Sequence, residues 1–232
     1  MAEKKEKQKD KPRKRGCIAQ LFFALSAFSS LLLAFALTIM VLPQDTWNIQ
    51  GYGQGAQNQE ARDLTAVLKE SVERGHQITI TEEELNRWIG QTLKLKQKGL
   101  LGGVVKVNGL GIRLMEGEAE IVIERSFVGL KSTLSMLIQV RVESDETRSS
   151  KEVVLHGGPM TRFFPPLKRG GRFGRLSVPQ GYLYLVKPTF FQLGDLYQEE
   201  LEMAFRKMHD IRLEEGKIVL TPRQAVHTPD SP

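Results

Sequence analysis

Leu130–Glu143, LKSTLSMLIQVRVE, decides the fold class of this chain. Leu130, Leu134, Met136, Ile138, Val140 and Val142 alternate with Lys131, Thr133, Ser135, Gln139, Arg141 and Glu143, with Ser132 and Leu137 as exceptions. A period of two over so long a run predicts a strand with one apolar and one polar face. At about 3.3 Å per residue the strand reaches roughly 45 Å, so its sheet is expected to be long and curved.

Its neighbours repeat the pattern. Val104–Leu114 reads as a strand, Met115-Glu116-Gly117 as a tight reversal, and Glu118–Glu124 as a second strand that alternates Ala119, Ile121 and Ile123 with Glu118, Glu120 and Glu124. Beyond the long strand, the polar turn Ser144–Ser150 leads into a fourth over Glu152–His156. Short reversals between successive strands predict an antiparallel meander, one face buried and one solvated. Glu118, Glu120 and Glu124 fall on the solvated face.

Helical spacing precedes the meander. Glu60–Arg74 carries Ala61, Leu64, Val67, Leu68, Ser71 and Val72 at helical intervals and stops at Gly75. After the extended Ile78-Thr79-Ile80, Thr81-Glu82-Glu83-Glu84 has the form of a capping box, with Ile80 and Leu85 as its hydrophobic staple. Leu85, Trp88, Ile89, Thr92 and Leu93 then share one helical face.

The region after the meander is mixed. Gly157–Arg175 reads as a Gly/Pro/Arg-rich loop, Leu176-Ser177-Val178 as a short strand, and Tyr182–Val186 as an apolar turn. Gln192–Met208 reads as a helix, and Ile211–Leu213 with Ile218–Leu220 as a hairpin. The predicted class is therefore α+β, a long curved antiparallel sheet packed on amphipathic helices.

At the N-terminus, Cys17–Leu42 holds Gln20 as its only strongly polar side chain. At about 1.5 Å per residue it is long enough to cross a hydrocarbon core of about 30 Å. Pro43, Gln44, Asp45 and Trp47 mark its polar exit. Eight basic residues between Lys4 and Arg15 face Glu3, Glu6 and Asp10, so this tail carries +5 of the chain's +6 and the remainder is net +1. The basic pI thus describes the tail and excludes a polyanion-binding domain as its explanation. Placed before the apolar run, the tail predicts a cytoplasmic N-terminus and a signal-anchored, single-pass protein of the inner or plasma membrane. A cleaved signal peptide is the rival reading, since Ala34-Phe35-Ala36 has a small-x-small pattern. The expected organisation is tail 1–16, transmembrane helix 17–42, Gly/Gln/Asn-rich linker 43–59, extracytoplasmic domain 60–222 and polar tail 223–232.

No catalytic motif emerges. His76, His156, His209 and His227 lie singly, and Gly109-Leu110-Gly111 is too short for a dinucleotide loop. Cys17 is the sole cysteine, which leaves the domain without thiol chemistry. No enzyme activity, cofactor, metal or nucleic-acid partner is expected. One stretch interleaves cations and aromatics, with Phe163, Phe164, Lys168, Arg169, Arg172 and Phe173 as candidates for contact with a membrane surface. The alternative is a solvated loop whose phenylalanines tuck onto the sheet.

Three segments carry a resemblance: ITITEEELNRWI (78–89), GRLSVPQGYL (174–183) and GKIVLTP (216–222), in this order around an alternating meander. Over His76–Pro222 the chain resembles the YpmS-like small membrane-anchored bacterial proteins and, more distantly, tubular lipid-binding (TULIP-type) domains. The resemblance implies a curved sheet wrapped around a helix, with an apolar groove for acyl chains, and supplies no matched functional residues. Together these readings predict a non-catalytic envelope domain that binds a lipid or other amphiphile, with Trp88, Leu134, Met136, Ile138 and Val140 on the groove. The same residues would equally build a closed core. The competing class is an anchored scaffold that recruits an envelope protein, and a hydrolase with an unrecognised site is a third.

Overall fold

A computed structural model describes residues 17–53, 60–96, 106–127, 130–145, 148–161 and 166–223. The chain divides into two units, Met1–Thr38 and Ile39–Pro232. The first holds most of helix α1 (Cys17–Val41), whose stretch Ile18–Val41 is long and apolar enough to cross a membrane, as a signal sequence can also be. Two of its hydroxyls are closed off locally: Ser30 Oγ donates to the Ser26 carbonyl (2.9 Å) and Thr38 Oγ1 to that of Ala34 (2.8 Å). A helix in hydrocarbon has to satisfy its polar groups in this way.

The second unit is α+β. Helix α2 (Leu64–Arg74) starts at Asp63, whose Oδ1 accepts the N–H groups of Thr65 and Ala66, and it stops at Gly75 in the left-handed conformation. Strand β1 (Ile78–Thr81) runs into α3 (Glu82–Lys96) through the expected capping box. Thr81 N–H donates to Glu84 Oε2 (2.9 Å) and Glu84 N–H to Thr81 Oγ1 (3.2 Å). The meander follows as β2 (Lys106–Met115), β3 (Glu118–Phe127), β4 (Leu130–Asp145) and β5 (Arg148–Val154). Next come β6 (Arg169–Phe173), β7 (Leu176–Pro179), α4 (Leu183–Leu196), α5 (Gln198–Glu202), a π-helical turn Met203–Lys207, β8 (Met208–Glu214) and β9 (Lys217–Pro222).

Among the described residues, six strands form an antiparallel sheet in the order β2-β3-β4-β6-β7, with β5 also on β4, and β1-β9-β8 form a second. The 16-residue β4 is the spine, pairing with β3 over 130–138 and with β5 over 139–145. Leu110, Ile123, Leu134 and Met136 on its inner face pack with Leu64, Trp88, Ile89, Phe190 and Leu193 from the helices and Leu220 from β9.

Several expectations need correction. Gly157–Arg175 is not wholly loop, because Arg169–Phe173 is a strand paired with β4. The helix read as Gln192–Met208 starts at Leu183 and breaks at Tyr197, and the supposed turn Tyr182–Val186 contributes its first residues. Pro188 lies inside this helix, and its apolar residues surround the axis, so no single stripe marked it. Residues 43–53, read as linker, pack against the sheet, while 54–59 fall outside the described residues. Gln44 N–H donates to Thr133 Oγ1 (2.8 Å), Tyr52 OH to Glu124 Oε2 (3.0 Å), and Ile49 is buried. Gly109 and Gly111 make room for this strap: a Cβ on Gly109 would strike the Tyr52 hydroxyl at 2.3 Å, and one on Gly111 the Tyr52 ring at 2.8 Å.

The strap overturns the idea of a fully solvated outer face. Glu120, Val122, Thr133, Ser135 and Leu137, all on that face, are buried. Glu120 is 1% exposed, ion-paired with Arg113, hydrogen-bonded by Ser135 Oγ (2.6 Å), and 3.6 Å from Arg172. A buried carboxylate is tolerated only with such partners.

Candidate functional site

A cavity of about 280 Å³ lies between the inner sheet face and the helices. Ile112, Ile121, Ile138 and Val140 contribute from the sheet, Leu85, Trp88 and Ile89 from α3, Phe190 and Leu193 from α4. Leu201, Ala204 and Phe205 from the broken segment after α4, and Ile211, Leu213 and Ile218 from the β8–β9 hairpin, complete much of the wall. Register explains part of the space. Ala119 stands directly opposite Ile138 and Ile112 opposite Ile121, so a small side chain sits among branched ones on one face. The chain also turns out of helix at Tyr197 (φ −118°, ψ 28°) and widens into the π-turn before β8. Such turns recur where a helix is shaped around a site.

Protein interiors contain few voids larger than a water molecule. An apolar cavity of about 150 Å³ stays dry and admits benzene, and small-ligand sites begin at about 300 Å³. This cavity is thus large enough for a single apolar chain or ring system. Few of its lining residues carry a polar group: Trp88, Tyr197 and Glu200. Trp88 and Tyr197 lie 5.4 Å apart between ring centroids at 50°. Tyr197 OH is 3.3 Å from Thr92 Oγ1, and burial pushes its pKa up. Glu200 Oε1 accepts from Thr65 Oγ1 (3.1 Å) and is the one charged residue on the lining among the described residues. The lining can enclose hydrocarbon; it has no nucleophile paired with a base.

Of the groove residues expected from sequence, Trp88, Ile138 and Val140 line the cavity. Leu134 and Met136 do not; both are buried in the core, at positions that pair with Phe173 and Gly171 of β6. Leu201, Ala204 and Phe205 were legible as one side of a helix but gave no sign of facing a void.

Of the basic aromatic stretch, Lys168, Arg169, Arg172 and Phe173 lie within the described residues. Phe163 and Phe164 fall outside the described residues. Lys168 Nζ is 2.9 Å from His156 Nε2, Arg169 is paired with Glu118 (2.8 Å), and Arg172 approaches Glu120. Phe173 is partly buried, edge-on to Tyr182 at 5.9 Å, with the Arg125 guanidinium 5.8 Å from its centroid. Glu118 and Glu120, expected in solvent, thus pair with two of these cations, Arg169 and Arg172.

No family model, curated protein or solved structure matches this chain.

Proposed function

We propose that the chain is a membrane-anchored, non-catalytic protein whose extracytoplasmic domain holds one acyl chain, or an apolar body of similar size, in this cavity. The observation that carries the reading is the void itself: about 280 Å³ bounded almost wholly by hydrocarbon side chains. Apolar surface of that extent is unfavourable against water, and an apolar occupant covers it. The apolar α1 and the basic tail before it support the anchor and its orientation. Recruitment of a partner strand at β2, one form of the scaffold reading, is disfavoured because side chains occupy that edge.

Native mass spectrometry of the full-length protein tests the reading, with Ala204→Phe as the variant that fills the void. Wild type is expected to retain an amphiphile that Ala204→Phe loses. Identical adducts on both proteins would assign the lipid to the anchor and remove the cavity from the account.

A further inference from the structure

We propose that the outer face of α4 is a membrane-contact surface, resting in the headgroup–acyl boundary of the bilayer that holds α1. The helix reads LYLVKPTFFQLGDL. Its inner residues Leu183, Val186, Phe190 and Leu193 are buried, as a helix packed on a domain requires. Its outer residues are apolar too: Tyr184 is 87% exposed, Leu185 80% and Phe191 57%. Gln192 and Asp195 are exposed nearer its C-terminus, so the apolar outer surface is the patch of Tyr184, Leu185 and Phe191, and an exposed apolar patch on a helix marks a contact with lipid or protein.

Charge selects lipid over protein. Along Leu183–Leu196 the helix carries two charged residues, Asp195 in its last turn and Lys187 beside the apolar patch, whose ammonium lies 5.0 Å from the centroid of the Phe191 ring. An aliphatic lysine stem beside aromatic rings, with its cation free to reach anionic headgroups, is the composition of an interfacial helix. A two-fold contact with a second copy through this face would bring Lys187 towards its own counterpart, which is unfavourable.

Chain continuity brings a bilayer within reach. Arg175 N–H donates to the Ile39 carbonyl (3.1 Å), and the Arg175 guanidinium bonds the Pro43 carbonyl (3.2 Å) and Asp45 (3.1 Å). The domain therefore takes hold of the chain where α1 ends, with no spacer between. From Arg175 to Tyr184 is nine residues, at most roughly 30 Å even if fully extended. The surface rests on the proposed membrane anchor and is independent of any ligand in the cavity.

The test is nitroxide accessibility in the full-length chain, reconstituted in phosphatidylethanolamine–phosphatidylglycerol vesicles. Cys17→Ser removes the native thiol, and Leu185→Cys or Val153→Cys supplies the labelling site; both positions are exposed, so neither disturbs the core. The label at 185 is expected to be accessible to oxygen and shielded from a nickel chelate, and the label at 153 the reverse. Adding Lys187→Glu should raise nickel accessibility at 185. Equal nickel accessibility at both sites would overturn the proposal. So would dipolar broadening at 185, which would assign the face to a second copy.

Discussion

Asn86 behaves towards Ile112 as a neighbouring strand would. Its Oδ1 accepts the Ile112 N–H (2.7 Å) while its Nδ2 donates to the Ile112 carbonyl (2.7 Å). The same Nδ2 reaches the Gln50 carbonyl (2.8 Å). One turn earlier, Glu82 accepts the N–H groups of Leu114 (2.7 Å) and Gln50 (2.8 Å). The exposed edge of β2 is thereby satisfied by a helix and the strap, which removes a template for strand addition.

Asn86→Ala orphans three backbone groups at once. Each buried, unsatisfied group costs about 1–3 kcal/mol, so the variant is expected to lose about 3 kcal/mol or more in urea unfolding. Hydrogen exchange at Ile112 should rise by more than the global loss accounts for. Arg87→Ala, which breaks only the exposed pair with Glu83, should change stability by less than about 1 kcal/mol.

Tyr182 supplies a pH test. Its hydroxyl is buried without a hydrogen-bond partner among the described residues, and burial raises its pKa well above the ordinary value. Burial acts likewise on Tyr52, reinforced by the charge and hydrogen bond of Glu124. Below about pH 10 both states keep these protons; above it the unfolded chain ionises first, so stability falls as pH rises towards the folded values. Tyr182→Phe should raise neutral-pH stability by about 1 kcal/mol and flatten the alkaline decline. Urea midpoints from about pH 8 to about pH 11 read both effects.

Core and cavity are separable by mutation. Leu134 is fully buried off the lining, and Leu134→Ala should cost about 3 kcal/mol. Ala204→Phe extends into existing space and should cost less than about 1.5 kcal/mol while abolishing ligand retention. Thermal unfolding of the two variants beside native mass spectra distinguishes them. Comparable destabilisation would mean that residue 204 faces packed protein.

Glu200 sets an expectation about headgroups. With one carboxylate and no cation on the described lining, dodecanol or dodecylamine should displace a bound probe better than laurate does. Glu200→Gln should narrow the gap, mainly by improving laurate. Equal displacement by all three in wild type would count against a headgroup near Glu200.

What the sequence disclosed was local. Thr81, Glu84, Ile80 and Leu85 announced the start of α3 because cap and staple are written within six residues, and the reversal at Glu116-Gly117 announced the meander. Long-range neutralisation was illegible. Glu120 alternates with isoleucines whether it faces water or Arg113, and only the sheet register brings Arg113 beside it. The strap was misread because Gln50 and Tyr52 hold it through backbone groups and a phenol, which leave no hydrophobic pattern. Ile138 and Val140, read from alternation, and Trp88, read from helical spacing, line the cavity, but Leu134 and Met136 share that alternation and lie where β6 pairs with β4. A void depends on the depth of packing between elements, and periodicity carries no information about it.

The most direct measurement is cross-linking with a phospholipid bearing a diazirine on one acyl chain, incorporated with the full-length protein into vesicles and mapped by peptide sequencing. The account predicts adducts on Ile138, Val140, Leu201 and Phe205, in addition to α1, and their loss in Ala204→Phe. Adducts confined to residues 18–41, with the lining unlabelled, would contradict it.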